Sequence, residues 1–261
     1  MSRRLAVLFI LCLTLTAAGL AQEPSRIVVL SYNIHHGEGM DGKIDLERIA
    51  GVILSVTPDL VSLQEVDRKT QRSGGVDQAA ELARLTGMKM AYGRAMDYQG
   101  GQYGDAILSR FPFECEGPVS LPHSPEREPR VFLPVEISTP HFFFLATHLD
   151  HLRDDHDRMA AVPIIERWAV SKGNIPMLLA GDLNDVPDSL VMKAFRKMWK
   201  MAGDGEQLFT IPVDNPQRQI DFILYHPEKE WRVAEVRILD EKIASDHRPI
   251  MAWMEKMSSK P

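Results

Sequence analysis

Apolar residues fall along this chain in short blocks separated by polar and glycine-rich stretches, and the blocks differ in period. Arg26 to Ser31, Leu60 to Leu63, Met88 to Met96, Asp105 to Ser109, Val131 to Ile137, His141 to Thr147, Gln219 to Tyr225, Trp231 to Leu239 and Ile250 to Met254 are β-branched, aromatic or continuously apolar runs of strand length. Met177 to Ala180 is apolar throughout, which predicts a strand buried on both faces, with Gly181 turning the backbone out of the sheet. Other segments carry helical spacing. Asp45 caps a helix with Leu46, Ile49, Ile53 and Leu54 on one side and Pro58 beyond its end. Asp77, after Gly74-Gly75, opens a second, whose Ala80, Leu82, Ala83 and Leu85 are core and whose end is Gly87. Asp154 to Val170 is a third, packing Met159, Val162, Ile164, Ile165 and Trp168, with Pro163 starting it late or kinking it. Ser189 caps a short fourth helix reaching Trp199. Tyr98 to Gly104 reads as a glycine-rich loop, either a hairpin connection or a place where backbone amides approach an anion. No internal repeat, linker or low-complexity segment interrupts the pattern.

Polar side chains gather where the apolar runs stop. Asn33 follows the first strand, Glu65 the second, His148 the run Phe142 to Thr147, and Asp182 with Asn184 the run Met177 to Ala180. Asp221 sits inside Gln219 to Tyr225, and Asp246-His247 lie in the loop Ala244 to Pro249. Each has an ordinary reading: an Asx turn closed by Pro187 for Asp182 and Asn184, an edge histidine for His148, a turn held by Pro249 for Asp246 and His247. Strand ends are nevertheless where α/β folds assemble chemistry. An ionised Asp beside a neutral Asn suits a water and an oxyanion in one place. Oxygen donors without cysteine point to a hard divalent ion, Mg²⁺ or Mn²⁺; two histidines among carboxylates leave zinc or calcium open.

Length and composition change this picture in two ways. At 261 residues and 44% hydrophobic, the chain suits one large domain. Residues 1–21 stand apart: Arg3-Arg4, an almost wholly apolar Leu5 to Leu15, then small residues ending at Ala21. That is the pattern of a secretory signal cleaved before Gln22, too short in its apolar part for a membrane span, and leaves residues 22–261 as an exported, periplasmic or extracellular domain. Cys12 leaves with the signal, so only Cys115 remains and no internal disulfide forms. Loss of Arg3 and Arg4 takes the formal charge from −6 to −8. An acidic chain is a poor long-nucleic-acid binder, although carboxylates gathered at a metal site attract phosphate once the cation is bound.

Taken in order, Tyr32-Asn33-Ile34, Gln64-Glu65-Val66, Thr147-His148-Leu149, Gly181-Asp182-Leu183-Asn184, Ile220-Asp221-Phe222-Ile223 and Ser245-Asp246-His247-Arg248-Pro249 resemble the endonuclease/exonuclease/phosphatase family with the DNase I-like fold. The resemblance runs from about Ile27 to Met254. It implies a four-layered α/β sandwich, two mixed sheets face to face with helices outside and the site at one end. It implies that Glu65, Asn33 and Asp246 hold Mg²⁺ or Mn²⁺, that Asp182 orients or deprotonates the attacking water, and that Asn184 and His148 contact the phosphate. His247, paired with Asp221, would stabilise the charge of the transition state or supply a proton. Asp105 departs from the pattern, since members often carry Asn there; Arg130 is the basic residue nearest to offset it, with an ion pair to Glu126 or Glu128 as its ordinary reading. The local sequences Tyr32 to Gly37 and Ser73 to Gln78 are most similar to exported bacterial members and to the branch related to lipid remodelling in GPI-anchor processing. The implied activity is metal-assisted hydrolysis of a small-molecule or lipid-linked phosphoester by a monomer with no obligate protein partner. A secreted endo- or exonuclease is the alternative, and a binding module without turnover the third.

Overall fold

The computed structural model describes residues 26–257; the signal-peptide reading of residues 1–21 lies outside the described residues. In chain order the elements are β1 (Ile27–Asn33), α1 (Leu46–Ser55), β2 (Leu60–Arg68), α2 (Gln78–Thr86), β3 (Lys89–Tyr98), β4 (Gly101–Ser109), β5 (Phe113–Cys115), β6 (Val119–Ser120), β7 (Val131–Ser138), β8 (His141–His148), α3 (His156–Ser171), β9 (Met177–Asp182), α4 (Leu190–Phe195), β10 (Lys200–Met201), β11 (Asp221–His226), β12 (Trp231–Ile238) and β13 (Ile250–Lys256). They form two mixed sheets, ordered β12-β13-β1-β2-β4-β3 and β10-β11-β9-β8-β7-β5, with β6 also on β7. β1 with β2 and β8 with β9 are parallel; the other described pairings are antiparallel.

Three apolar layers hold the sheets and helices together, which makes the expected four-layered α/β sandwich. Ile27 and Val29, Phe142, Phe144 and Ala146, Leu178 and Ala180, and Ile223 fill the space between the sheets. The alternate residues of the same strands turn outward: Leu30 and Tyr32 pack with Ile49, Ile53 and Leu82 of α1 and α2. Phe143, Leu145, Met177, Leu179 and Phe222 pack with Val162, Ile165 and Phe195 of α3 and α4. Strands buried on both faces must be apolar at every position, which is why these runs are continuous rather than alternating. Among the described residues no helix is long and apolar enough to cross a membrane.

The helix starts follow the expected chemistry, with Asp45, Asp77 and Ser189 each accepting a bond from a backbone N–H in the first turn. Several local expectations are corrected. α4 ends at Phe195, short of Trp199. Leu54, Ala80 and Met159 are exposed, because each lies just off the stripe that meets the sheet. Pro163 neither delays nor breaks α3, and the residue whose carbonyl it leaves without a donor, Met159, is on the wet side where water replaces the bond. Tyr98 to Gly104 is the hairpin connection of its first reading, shorter than expected: β3 and β4 run through most of it and turn over only Gln99-Gly100, both with positive φ, the two-residue hairpin that matches strand twist. Gly181 does not turn the chain. It lies within β9, and a Cβ there would collide with the carbonyl oxygen of Thr147 on β8. Gly181→Ala is therefore expected to cost about 1–3 kcal/mol in urea unfolding, whereas Gly51→Ala on the open face of α1, where a Cβ meets nothing, is expected to gain about 0.5–1 kcal/mol.

Candidate active site

The alternation that fills the interior also builds the site. Each inward-facing series, carried past its last apolar member, reaches a polar residue at the same end of the sandwich: Asn33 on β1 beyond Val29 and Ser31, His148 on β8 beyond Ala146, Asp182 on β9 beyond Ala180, Asp221 on β11 ahead of Ile223, and Asp105 on β4 ahead of Ile107. His148 and Asp221 are both cross-strand partners of Asp182, so the three stand in one row. Glu65 joins them by a different route. Strict alternation from Leu60 points Ser62 and Gln64 inward, but a bulge after Leu63, with Glu65 at φ 60°, delivers the Glu65 carboxylate to this end as well.

The amide of Asn33 donates to Glu65 Oε1 at 3.0 Å and to Asp182 Oδ2 at 3.2 Å, joining the ends of the two sheets. The Asx turn does exist, since the Asn184 N–H donates to Asp182 Oδ1 at 2.9 Å, and it serves the site by leaving Oδ2 inside the cleft. Asn184, at φ 51°, donates its amide to the Leu149 carbonyl at 2.9 Å and lies 3.0 Å from His148 Nε2. On the far side of that ring Arg130 lies 3.0 Å from Nδ1, and Nε2 is 3.5 Å from Asp182 Oδ2. His247 donates from Nδ1 to Asp221 Oδ2 at 2.9 Å and turns Nε2 toward Asp182 Oδ2, 3.7 Å away. Beneath these groups the Ser62 hydroxyl donates across the sheets to the Ala180 carbonyl at 2.8 Å, and the Ser245 hydroxyl ties its loop to the Asn33 carbonyl at 2.8 Å. The floor opens into a cleft of about 330 Å³. Tyr98 and Tyr103, with Arg72 over both rings, and Ile211 and Ile220 are among its wall residues.

The electrostatics are lopsided. Burial is the main force pushing Asp105 up to about 8, with Glu65 and Asp182 adding to it and Arg130 opposing. Burial and the Asp221 carboxylate raise Asp182. Burial, helped by Arg130 and His247, holds His148 far below its ordinary value and hence neutral. On His247 burial works against charge but Asp221, Asp182 and Asp246 outweigh it, pushing it up to about 10. Glu65, Asp182 and Asp221, with Asp105 holding its proton, thus face two resident cations, Arg130 and His247, and Asp221 Oδ1 is buried without a partner. That carboxylate excess is chemistry that accepts a divalent cation, and Glu65, half-buried on the cleft, is the most accessible of these carboxylates.

All eight residues singled out from the sequence lie at this end, though not all with the expected contacts. Asp246 is the outlier: the contact its carboxylate makes is the Ser245 hydroxyl at 3.3 Å, and its charge acts on His247. Arg130 satisfies both of its readings at once, pairing with Glu128 at 2.7 Å while its charge opposes the rise at Asp105, and it also reaches His148, which neither reading held. Ser62 went unnoticed because a polar residue within a strand carries no signal until the opposite sheet is known.

The comparisons agree with this geometry. Residues 30–247 match the Endonuclease/Exonuclease/phosphatase family. The chain belongs to that family. The uncharacterized protein YbhP of Escherichia coli K12 is 27% identical over 247 residues, which is 86% of this chain and 94% of YbhP. The endonuclease/exonuclease/phosphatase of Beutenbergia cavernae superposes with a TM-score of 0.73 at 22% identity, covering 90% of this chain and 72% of its own. The mannosyl-6-phosphatase of Bacteroides thetaiotaomicron superposes at 0.71 with 16% identity, covering 87% and 99%.

For an endonuclease/exonuclease/phosphatase domain, Asp105 is the costly residue. The unfolded chain ionises it at about pH 4, whereas the folded protein keeps its proton up to about pH 8. Stability tied to this group is therefore complete below pH 4 and is lost as pH rises through 8. Asp105→Asn, unfolded by urea in EDTA, is expected to gain on the parent progressively from pH 5 to pH 8, by at most about 1.4 kcal/mol per pH unit. A difference that stays flat across that range would mean that the carboxylate is ionised throughout.

Proposed function

We propose that the protein is an exported, divalent-metal-dependent phosphoesterase, acting as a monomer on a small-molecule or lipid-linked phosphodiester or phosphomonoester by attack of water. The observation that carries this reading is Asp182 Oδ2, which faces the cleft between the Asn33 amide and Nε2 of both His148 and His247. A carboxylate raised by burial is a better base than an exposed one, and it stands where it can take a proton from water. The Asn184 amide and the neutral His148 imidazole are able to hold a phosphate oxygen, and Arg130 steadies that ring. His247, fixed by Asp221 and charged at neutral pH, opposes the negative charge that accumulates as the new bond forms. Bound at Glu65 and Asn33, with Asp246 nearby, Mg²⁺ or Mn²⁺ would neutralise the phosphate oxygens that otherwise repel the water.

A small cleft, a tyrosine-lined wall and an acidic chain favour a compact substrate over long nucleic acid. The sugar-phosphatase name of one structural relative leans the same way. A secreted nuclease is the second reading, because the family name covers nucleases as well as phosphatases. Incubating the purified protein with plasmid, a chromogenic bis-ester, sugar phosphates and phospholipids, each with Mg²⁺ or EDTA, decides between them: EDTA-sensitive turnover of a small or lipid ester is expected, and rapid plasmid nicking would reverse the order.

Asp182→Ala and His247→Ala are each expected to lower kcat by at least about 10²-fold with the fold intact by circular dichroism. Unchanged hydrolysis in both would remove the mechanism and favour a binding module. Glu65→Gln is expected to raise the metal concentration needed for half-maximal rate more than it lowers the melting temperature; an unaltered metal requirement would count against Glu65 as a ligand.

A further inference from the structure

His35 and His36 stand two and three residues beyond Asn33; the His35 N–H donates to Asn33 Oδ1 at 3.0 Å, but neither ring takes part in the hydrolytic arrangement above. Both have positive φ, 45° and 44°, and the doubled-back chain sets their rings edge to face with centroids 4.5 Å apart. One ring nitrogen of His35, one of His36 and one carboxylate oxygen of Glu65 lie within 4.8 Å of one another.

The hydrogen bonds fix the protons on both rings. His35 Nδ1 is 3.2 Å from the Glu38 carbonyl, which can only accept, so that nitrogen carries the proton and Nε2 the lone pair. His36 Nε2 donates to the Glu38 carboxylate at 3.1 Å, leaving its lone pair on Nδ1. His36 is only 7% exposed, and its Nδ1 is buried with no hydrogen-bond partner. A lone pair shut away from water and from protein donors is an expense that a Lewis acid removes. An imidazole whose other nitrogen is tied to a carboxylate or carbonyl is also how metal-binding histidines are held in orientation.

We propose that His35, His36 and Glu65 bind a borderline divalent cation, zinc above magnesium, beside the cleft. Two imidazole nitrogens and one carboxylate oxygen suit Zn²⁺, whereas Mg²⁺ selects oxygen. Three protein donors is also the number that leaves a zinc position free for another molecule. Glu38 is the positioning residue for both rings. This assignment goes beyond the oxygen-ligand reading of Glu65 and Asn33 and shares only Glu65 with it.

The test uses the full chain stripped with EDTA and loaded with one equivalent of Zn²⁺. X-ray absorption at the zinc edge is expected to show the outer-shell scattering of two imidazoles, and a shell of oxygen alone would overturn the proposal whether or not the protein hydrolyses phosphoesters. In chelator competition, His36→Asn, chosen because Asn tolerates the left-handed backbone, and Glu38→Ala are each expected to weaken zinc about 10- to 100-fold. Unchanged affinity in both overturns it. Asp182→Ala, which is expected to slow the proposed hydrolysis, is expected to leave zinc affinity and the imidazole scattering as they are; loss of zinc there, with His36→Asn unaffected, would overturn the proposal by moving the ion to the hydrolytic carboxylates.

Discussion

The constraint on which the molecule depends is that a paired-sheet interior has to be apolar along its whole length and has to stop somewhere. Between the sheets, Phe142, Phe144, Leu178, Ala180 and Ile223 exclude water. Where that series runs out, the next inward positions are still fixed in direction by the pleat but are no longer surrounded by hydrocarbon. Asn33, His148, Asp182 and Asp221 occupy those positions, so their convergence needs no special loop. Burying an ionisable group is unfavourable unless it is partnered, and each of these groups meets a partner from a neighbouring strand or from the opposite sheet.

Rigidity follows from the same arrangement. The Ser62 bond to Ala180 and the Asn33 bond to Asp182 cross between sheets, the Asn33 bond to Glu65 ties β1 to β2, and the Ser245 bond fastens the loop carrying His247 to β1. Groups held from several strands keep their geometry as charge develops, which is where preorganised donors gain most of their effect. The carboxylate excess has the opposite character: like charges gathered at one end destabilise the fold and favour whatever cation or protons relieve them.

Much of the fold is readable in the chain because two-sided burial writes continuous apolar runs, and the N-caps at Asp45, Asp77 and Ser189 start their helices as capping chemistry requires. The candidate residues are readable because each stands at the break of such a run. What escapes depends on distant contacts. The bulge that redirects Glu65 is a matter of pairing with β4 rather than of local composition. The short strands β5, β6 and β10 have too few residues to show a period. Pro163 is tolerated only because one side of α3 is wet, and Gly181 is needed because Thr147 of β8 lies against it. Arg130 could be named as the neighbour of Asp105, but its hold on His148 required the register of β7 against β8.

Floor and wall of the cleft are anchored differently. Asp182 and His148 come from strands with neighbours on both sides, whereas Met96 and Tyr98 ride on β3, the last strand of its sheet, just before the Gln99-Gly100 turn. An outer ribbon tolerates exchange of side chains that a central one does not. Side chains at that hairpin tip can therefore be exchanged while Asp182 and His148 stay where the inner strands hold them, so the rim and the floor of the cleft are free to vary independently.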